Sequence, residues 1–342
     1  MSARWSVVFS ARLGALRPEE LALADNRPID VGHAELGTPE LAVTNGAGAD
    51  ILVVGAVEPM TREVLQALPR LKAIVRRGIG VDNVDLEAAT ELGIPVAFVP
   101  AASVEEVSDH ALAIALTLAR RLPGIAAATS ADDAAAASAL GNSARRLGDL
   151  TLGIVGFGRI GRALARKSAS VFASVIAADP MLPEAETVDG VRIVGLSTLW
   201  GAADVISLHA PAATGSAPLV DATALDAMRA GVVLVNTARG RLVDEDALVA
   251  AVRSGKVAAA GLDVTAEEPV PASSPLREVP GILLTGHTAA KGALAAVSLQ
   301  RAVIAAIEAL VDTREPEFIA NPAVLSSAAY RPTRPTQKES AE

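Results

Sequence analysis

Thr151–Gly161 reads TLGIVGFGRIG, a β-branched run that passes into a glycine turn. Gly156, Gly158 and Gly161 stand at G-x-G-x-x-G spacing. The first permits a tight turn, the second lets a pyrophosphate approach the backbone, and the third packs a helix onto the strand. Such glycines also arise by chance in glycine-rich loops, so the flanking residues carry the reading. Leu152, Ile154 and Val155 form a buried strand before the turn, and Ile160, Leu164 and Ala165 recur at helical spacing after it. A second strand, Val171 to Ala178, ends at Asp179, 18 residues beyond Gly161. An acid there takes the adenosine ribose hydroxyls and repels a 2′-phosphate, which favours NAD over NADP. The plainer alternative is an aspartate capping a turn before Pro180.

The composition sets the outer limits. A chain of 342 residues, 51% hydrophobic and 20% charged, has room for two domains of roughly 150 residues, each with its own core. A net charge of −9 with no offsetting Lys/Arg run speaks against a nucleic-acid surface, and an anionic substrate needs a local arginine site. Cysteine is absent, which removes disulfides, thiolate chemistry and Cys-based metal sites, and no metal is expected. Arg12 breaks the N-terminal stretch before a signal-peptide core forms, and no apolar run of 18 residues is expected anywhere, so the expectation is a cytoplasmic protein without a membrane span.

Strand and helix patterns alternate along the chain. Trp5–Ser10, Ile51–Val54, Ala73–Val75 and Ile94–Val99 read as strands, with a helix over Arg62–Ala67. A long helix begins at Ser103, where Ser103 and Glu106 make a capping box, and it finishes near Arg120 and Arg121. Alanine-rich, polar sequence then runs to about Gly148. Beyond the glycine turn, Val191–Val194, Asp204–Leu208, Val232–Asn236, Ala258–Val264 and Ile282–Leu284 read as strands, and Asp221–Ala230, Asp244–Ser254 and Leu294–Val311 as helices. Six or seven parallel strands with helices on both faces make a doubly wound α/β sheet. The expected division is 1–101 with 291–330 as one domain and 102–290 as the second, followed by a Pro-, Ser- and charge-rich tail, disordered from about Ser326 and through 331–342.

Ligands of open α/β sheets bind at the carboxyl ends of strands, and three chemically capable residues stand there: Arg239, Glu268 and His287. Arginine forks onto a carboxylate, which suits a 2-oxo or 2-hydroxy acid. Imidazole suits proton exchange with a hydroxyl, and a carboxylate beside it orients the ring and stabilises the imidazolium. Arg239 in a structural ion pair and Glu268 as a solvated loop acid are the ordinary alternatives. His209 follows a strand and lines the cofactor site through its backbone, whereas His110, inside the long helix beside Asp109, reads as a hinge contact. In RRGIGVDNVD, Arg76 to Asp85, Gly78 and Gly80 leave backbone N–H groups open to a small anion, or simply make a turn.

Taken together, RRGIGVDNVD, GIVGFGRIG with Asp179, SLHAP, VLVNTARGRLVDEDALVAAV, AAAGLDVTAEEP and LLTGH resemble the NAD-dependent D-isomer-specific 2-hydroxyacid dehydrogenases over roughly Asp50 to Pro322. The resemblance implies a Rossmann NAD-binding domain inserted into a smaller flavodoxin-like substrate domain, and hydride transfer between NAD(H) and C2 of a small acid such as hydroxypyruvate, glyoxylate or phosphoglycerate. It implies that Arg239 binds the substrate carboxylate and carbonyl, that His287 is the acid/base and that Glu268 supports it. Asp263 would hold the nicotinamide carboxamide, and Gly78, Ile79 and Gly80 the substrate carboxylate. Further cofactor contacts fall on Arg159, Ile160, Pro211, Thr214, Thr237, Ala238, His287 and Ala289, and a homodimer through the cofactor domain is implied. Two departures stand out. Gly286 occupies the usual proline position before the histidine, an arrangement expected to loosen His287. Arg77 replaces a neutral residue, which suggests a contact to a second anionic group. PAASVEEVSDHAL also looks like the C-terminal-binding-protein branch, so a dinucleotide-sensing corepressor-like protein is one alternative and a phosphite-type dehydrogenase another. Glu268, where the formate dehydrogenase branch has glutamine, disfavours that branch.

Overall fold

The computed structural model describes residues 4–100, 103–212 and 216–331. The chain forms two compact units, Met1–Ser103 with Gly292–Glu342, and Val104–Lys291. Ala101 and Thr214 lie outside the described residues, as does the tail beyond Arg331.

The first unit is a five-stranded sheet of β1 (Trp5–Ser10), β2 (Ile29–Ala34), β3 (Ile51–Val54), β4 (Ala73–Arg76) and β5 (Val96–Phe98), in the order β2-β1-β3-β4-β5. Every pairing is parallel. Period-2 alternation sends Trp5, Val7 and Phe9 of β1 to one face, and the central strands β3 and β4 bury apolar residues on both faces. β2, IDVGHA, escapes the sequence reading because it is an edge strand carrying Asp30, Gly32 and His33.

Two expectations are corrected in this unit. The helix Ala293–Val311 is long and apolar enough by length and composition to cross a membrane, with a mean hydropathy of 1.8. Its apolar stripe of Val303, Ile307 and Leu310 instead packs into the core with Trp5, Val7 and Phe9. The segment from Ser326 to Arg331 is also ordered. Arg331 donates its N–H to the Gly93 carbonyl (2.9 Å), and its Nη1 to the Leu71 carbonyl (2.9 Å).

The second unit holds β6 (Thr151–Val155), β7 (Ser174–Ala178), β8 (Thr187–Val188), β9 (Val191–Ile193), β10 (Val205–Leu208), β11 (Val232–Asn236), β12 (Val257–Leu262) and β13 (Ile282–Leu284). Their order is β13-β12-β11-β10-β6-β7-β9-β8. Seven strands are parallel and only β8 runs antiparallel, on β9. This is the expected doubly wound α/β sheet. From β6 the chain winds to one side through β7 and β9, then crosses to β10 and continues on the other. The crevice at the carboxyl ends of β6 and β10 is therefore the topological switch point. The alanine-rich stretch after Arg121, to which the sequence reading assigns no element, forms two helices, Leu122–Ser130 and Ala134–Ser143. Alanine has the highest helix propensity, Pro123 suits a first turn, and the Asp133 carboxylate caps the second helix by accepting the Ala136 N–H (2.8 Å).

Candidate active site

β6 delivers the glycine turn to the switch point. Gly156 has φ +90°, and a Cβ on it would stand 2.6 Å from the His209 carbonyl carbon at the end of β10. A Cβ on Gly161 would stand 2.3 Å from the Gly156 carbonyl oxygen, so the helix Arg159–Ser168 seats against the turn only without a side chain there. Gly158 is the N-cap of that helix, supplies no side-chain cap and has open space around it. Arg159 is exposed and Ile160 half-buried on the first turn. The N-terminus of the helix thus presents backbone toward an anion at the strand ends.

Asp179 stands at the end of β7. Its Oδ2 accepts the Phe157 N–H of the glycine turn (2.8 Å) and its Oδ1 accepts the Met181 N–H (2.9 Å). Each oxygen keeps a lone pair for a ribose hydroxyl. After β10, the His209 ring is held by Ser207 Oγ to Nε2 (2.9 Å), and its Nδ1 is buried without a partner. Burial pushes this imidazole down to about 4, so it is neutral at pH 7. Pro211 is exposed, whereas Thr237 and Ala238 after β11 are buried. The buried Thr237 hydroxyl also has no partner. An open glycine cap, a carboxylate at the neighbouring strand end and two unpartnered buried polar atoms around one crevice fit a bound dinucleotide.

The loop after β11 is shaped by buried Asn236, whose Oδ1 accepts the Ala238 N–H (3.0 Å) and whose Nδ2 donates to the Arg239 carbonyl (2.8 Å). Arg239 is half-buried, with Nη1 donating to the Ala238 carbonyl (2.6 Å). A Cβ on Gly240 would fall 1.9 Å from the Thr265 carbonyl carbon, so this loop lies directly on the loop after β12. There Thr265 donates its N–H to Glu268 Oε1 (3.2 Å), and Glu268 Oε2 meets His287 Nδ1 at 2.5 Å. A carboxylate only accepts, so Nδ1 carries the proton and Nε2 remains for chemistry. His287 is 47% exposed. Desolvation raises the Glu268 carboxyl, but the hydrogen bond and charge of His287 and the Thr265 N–H together hold it below its ordinary value.

Asp263, at the end of β12, anchors the loop that carries His287. Its Oδ1 accepts from Thr285 Oγ1 (2.5 Å) and Thr288 N–H (2.8 Å), its Oδ2 accepts from buried Ala289 N–H (2.9 Å), and its carbonyl accepts the His287 N–H (2.6 Å). His110 Nε2 lies 3.0 Å from Thr285 Oγ1 and 3.6 Å from Asp263 Oδ1. The sequence reading misses this buttress of His110, Thr285 and Asn236. The signal in the sequence is His110 itself, one helical turn from Val107 and Ile114.

Within the first unit, Gly78, Ile79 and Gly80 follow β4 at its carboxyl end and are half-buried. Gly78 donates its N–H to the Arg76 carbonyl (2.9 Å), and Arg76 Nη1 donates to the Arg77 carbonyl (2.7 Å). Arg77 is not the exposed charge that its position suggests. Its side chain is 9% exposed and Nη1 lies 3.8 Å from Oε1 of Glu20, itself 2% exposed. Burial lowers the Arg77 pKa while Glu20 opposes the shift.

The sequence model of the family described as D-isomer specific 2-hydroxyacid dehydrogenase, NAD binding domain, matches residues 112–289. D-3-phosphoglycerate dehydrogenase of Mycobacterium bovis is 40% identical over 246 residues, 72% of this chain and 46% of that protein. Hydroxypyruvate reductase of Thermotoga maritima is 39% identical over 220 residues, 64% of this chain and 70% of that protein. The chain spans about half the length of the curated phosphoglycerate dehydrogenases it matches. Among solved structures, D-lactate dehydrogenase from Aquifex aeolicus, complexed with NAD and lactic acid, superposes with a TM-score of 0.79 at 28% identity, covering 90% of this chain and 96% of that one. With its glycine turn, strand-end aspartate and doubly wound sheet, the chain belongs to the D-isomer-specific 2-hydroxyacid dehydrogenase family, and residues 112–289 are its NAD-binding domain.

Proposed function

We propose that the protein is an NAD-dependent reductase of small 2-oxo acids, reversibly forming D-2-hydroxy acids. The observation that carries the reading is the Glu268–His287 pair, which leaves an exposed imidazole face in the loop cluster that also holds Arg239. When bound at the glycine turn, NADH supplies the hydride that C2 of the substrate accepts. Arg239 forks onto the substrate carboxylate and carbonyl oxygen. His287 gives a proton from Nε2 to the forming alkoxide, and Glu268 stabilises the imidazolium between turnovers. Asp179 sets the preference for NAD over NADP, since a 2′-phosphate would meet its carboxylate. Asp263, besides anchoring its loop, would hold the nicotinamide carboxamide.

Arg77, expected to contact a second anionic group, has its Nη1 3.8 Å from Glu20 Oε1, whereas the Arg76 guanidinium lies directly against Gly78. The test is NADH oxidation across glyoxylate, pyruvate, hydroxypyruvate and its 3-phosphate, repeated with NADPH. The expected result is turnover of at least one of these 2-oxo acids with NADH, at least about tenfold slower with NADPH. His287→Ala and Arg239→Ala should each lower turnover by about two to four orders of magnitude while NADH still binds. Near-normal turnover in both variants removes the mechanism. NADH binding without turnover on any acid, or on phosphite with NAD, replaces it with a dinucleotide-sensing interaction protein.

A further inference from the structure

At the amino-terminal edge of the second unit's sheet, on the side opposite the glycine turn, lies a cavity of about 200 Å³. Its polar wall is made by Arg121, Arg145, Arg229 and Asp204, and Leu118 and Gly231 are among the residues that close it. Asp204, just before β10, is 3% exposed. Its Oδ1 receives Nη2 of Arg145 at 2.6 Å and Nη1 of Arg229 at 3.2 Å, and its Oδ2 accepts the Thr151 N–H at 2.9 Å. One carboxylate therefore answers two guanidiniums, with a third, Arg121, on the same wall. Arg121 is set there by a left-handed backbone (φ +55°) where the long helix ends and the helix Leu122–Ser130 begins.

We infer that this cavity is a binding site for a phosphate dianion, free or as the head of a small phosphomonoester, separate from the dinucleotide crevice. Three positive charges and one negative charge line the hollow, in a chain whose overall charge is −9. Like charges gathered around one hollow repel, and a dianion balances the surplus of two. Guanidinium forks match phosphate oxygens in pairs, and both Asp204-bound arginines keep further N–H donors. Their side chains are 40% and 50% exposed, so the ligand has access. A strand of five residues, about 17 Å, separates this edge from the glycine turn, so one ligand does not compete with the other.

The test is calorimetric and thermal titration of the whole protein with inorganic phosphate and, in a second arm, glycerol 2-phosphate. Both are run at matched ionic strength with NADH saturating, which keeps phosphate out of the glycine turn. Phosphate is expected to raise the melting temperature beyond the effect of equivalent chloride. Arg121→Gln, which leaves both Asp204 pairs intact, is expected to weaken binding at least fivefold without changing NADH affinity. Arg229→Gln should do the same, and tighter binding of the ester identifies it as the occupant. The inference is overturned if phosphate and ester stabilise the NADH-loaded protein no more than chloride does, or if Arg121→Gln binds phosphate as tightly as the unaltered protein.

Discussion

His287 is presented by an unusual piece of backbone. Gly286 and His287 have φ of +66° and +56°, the left-handed region that a histidine visits at a cost. Proline, fixed near −65°, has no access to that conformation, so the glycine here is the residue that permits this path. The loop is then held by Asp263 through the His287, Thr288 and Ala289 amides, so the expected loosening of His287 is opposed. Gly286→Pro is expected to move the imidazole by about an ångström and to lower kcat about a hundredfold, with NADH affinity changed far less. Steady-state kinetics with fluorescence titration of NADH reads both. A second residue-scale prediction concerns His209. Its folded value near 4 lies below the ordinary 6.5, so between those pH values the unfolded chain binds the extra proton and the folded one does not. The stability tied to neutral His209 is complete above pH 6.5 and lost as pH falls toward 4. In urea titrations across pH 4 to 7, His209→Gln should flatten that part of the stability profile; an unchanged slope would show that the imidazole is not responsible.

Two close approaches tie elements together and separate binding from chemistry. Gly161 seats the helix Arg159–Ser168 on the turn that ends β6, and Gly240 seats the Arg239 loop on the Thr265 loop. Added methyl groups would stand 2.3 Å and 1.9 Å from backbone atoms, so each must push its element away. Overpacking of this kind costs about 1–3 kcal/mol. Gly161→Ala should chiefly weaken NADH binding, and Gly240→Ala should chiefly lower kcat, because it shifts Arg239 against Glu268 and His287. Equal effects of the two on NADH affinity would contradict this division. At the same scale the sequence was legible where a pattern was strong. The β-branched runs of β6, β10 and β11 and the capped helix after Asp244 stand close to where periodicity puts them. The edge strand β2 and the two alanine-rich helices were not legible, because a polar edge strand lacks alternation and alanine gives no amphipathic stripe.

At the scale of the molecule, residues 104–291 are contiguous in sequence and enclose cores on both faces of their own sheet. The family resemblance implies a homodimer through this unit, an expectation that a fragment tests. A fragment of residues 104–291 is expected to fold, to bind NADH within about tenfold of the whole chain, and to have twice its monomer mass by light scattering. A folded fragment of monomer mass would place self-association elsewhere, and an unfolded one would show that the first unit is needed for stability.

What the amino-acid sequence determined by itself is local and periodic. The glycine spacing, the strand ending at Asp179, the alternation that makes two parallel sheets, and the residues Arg239, Glu268 and His287 all rest on short-range patterns that steric and hydrophobic rules translate directly. The tertiary structure alone decided how distant polar groups share partners. Arg77 looks like an exposed charge in RRGIG, but Glu20, far back in the chain, takes it into the first unit. Asp263 looks like a ligand contact alone, but it holds the backbone that presents His287. The three arginines around Asp204, Arg121, Arg145 and Arg229, come from three separate segments of the chain. Pairing across such distances depends on which buried donor finds which acceptor once the chain has packed, and no spacing rule along the sequence encodes that choice.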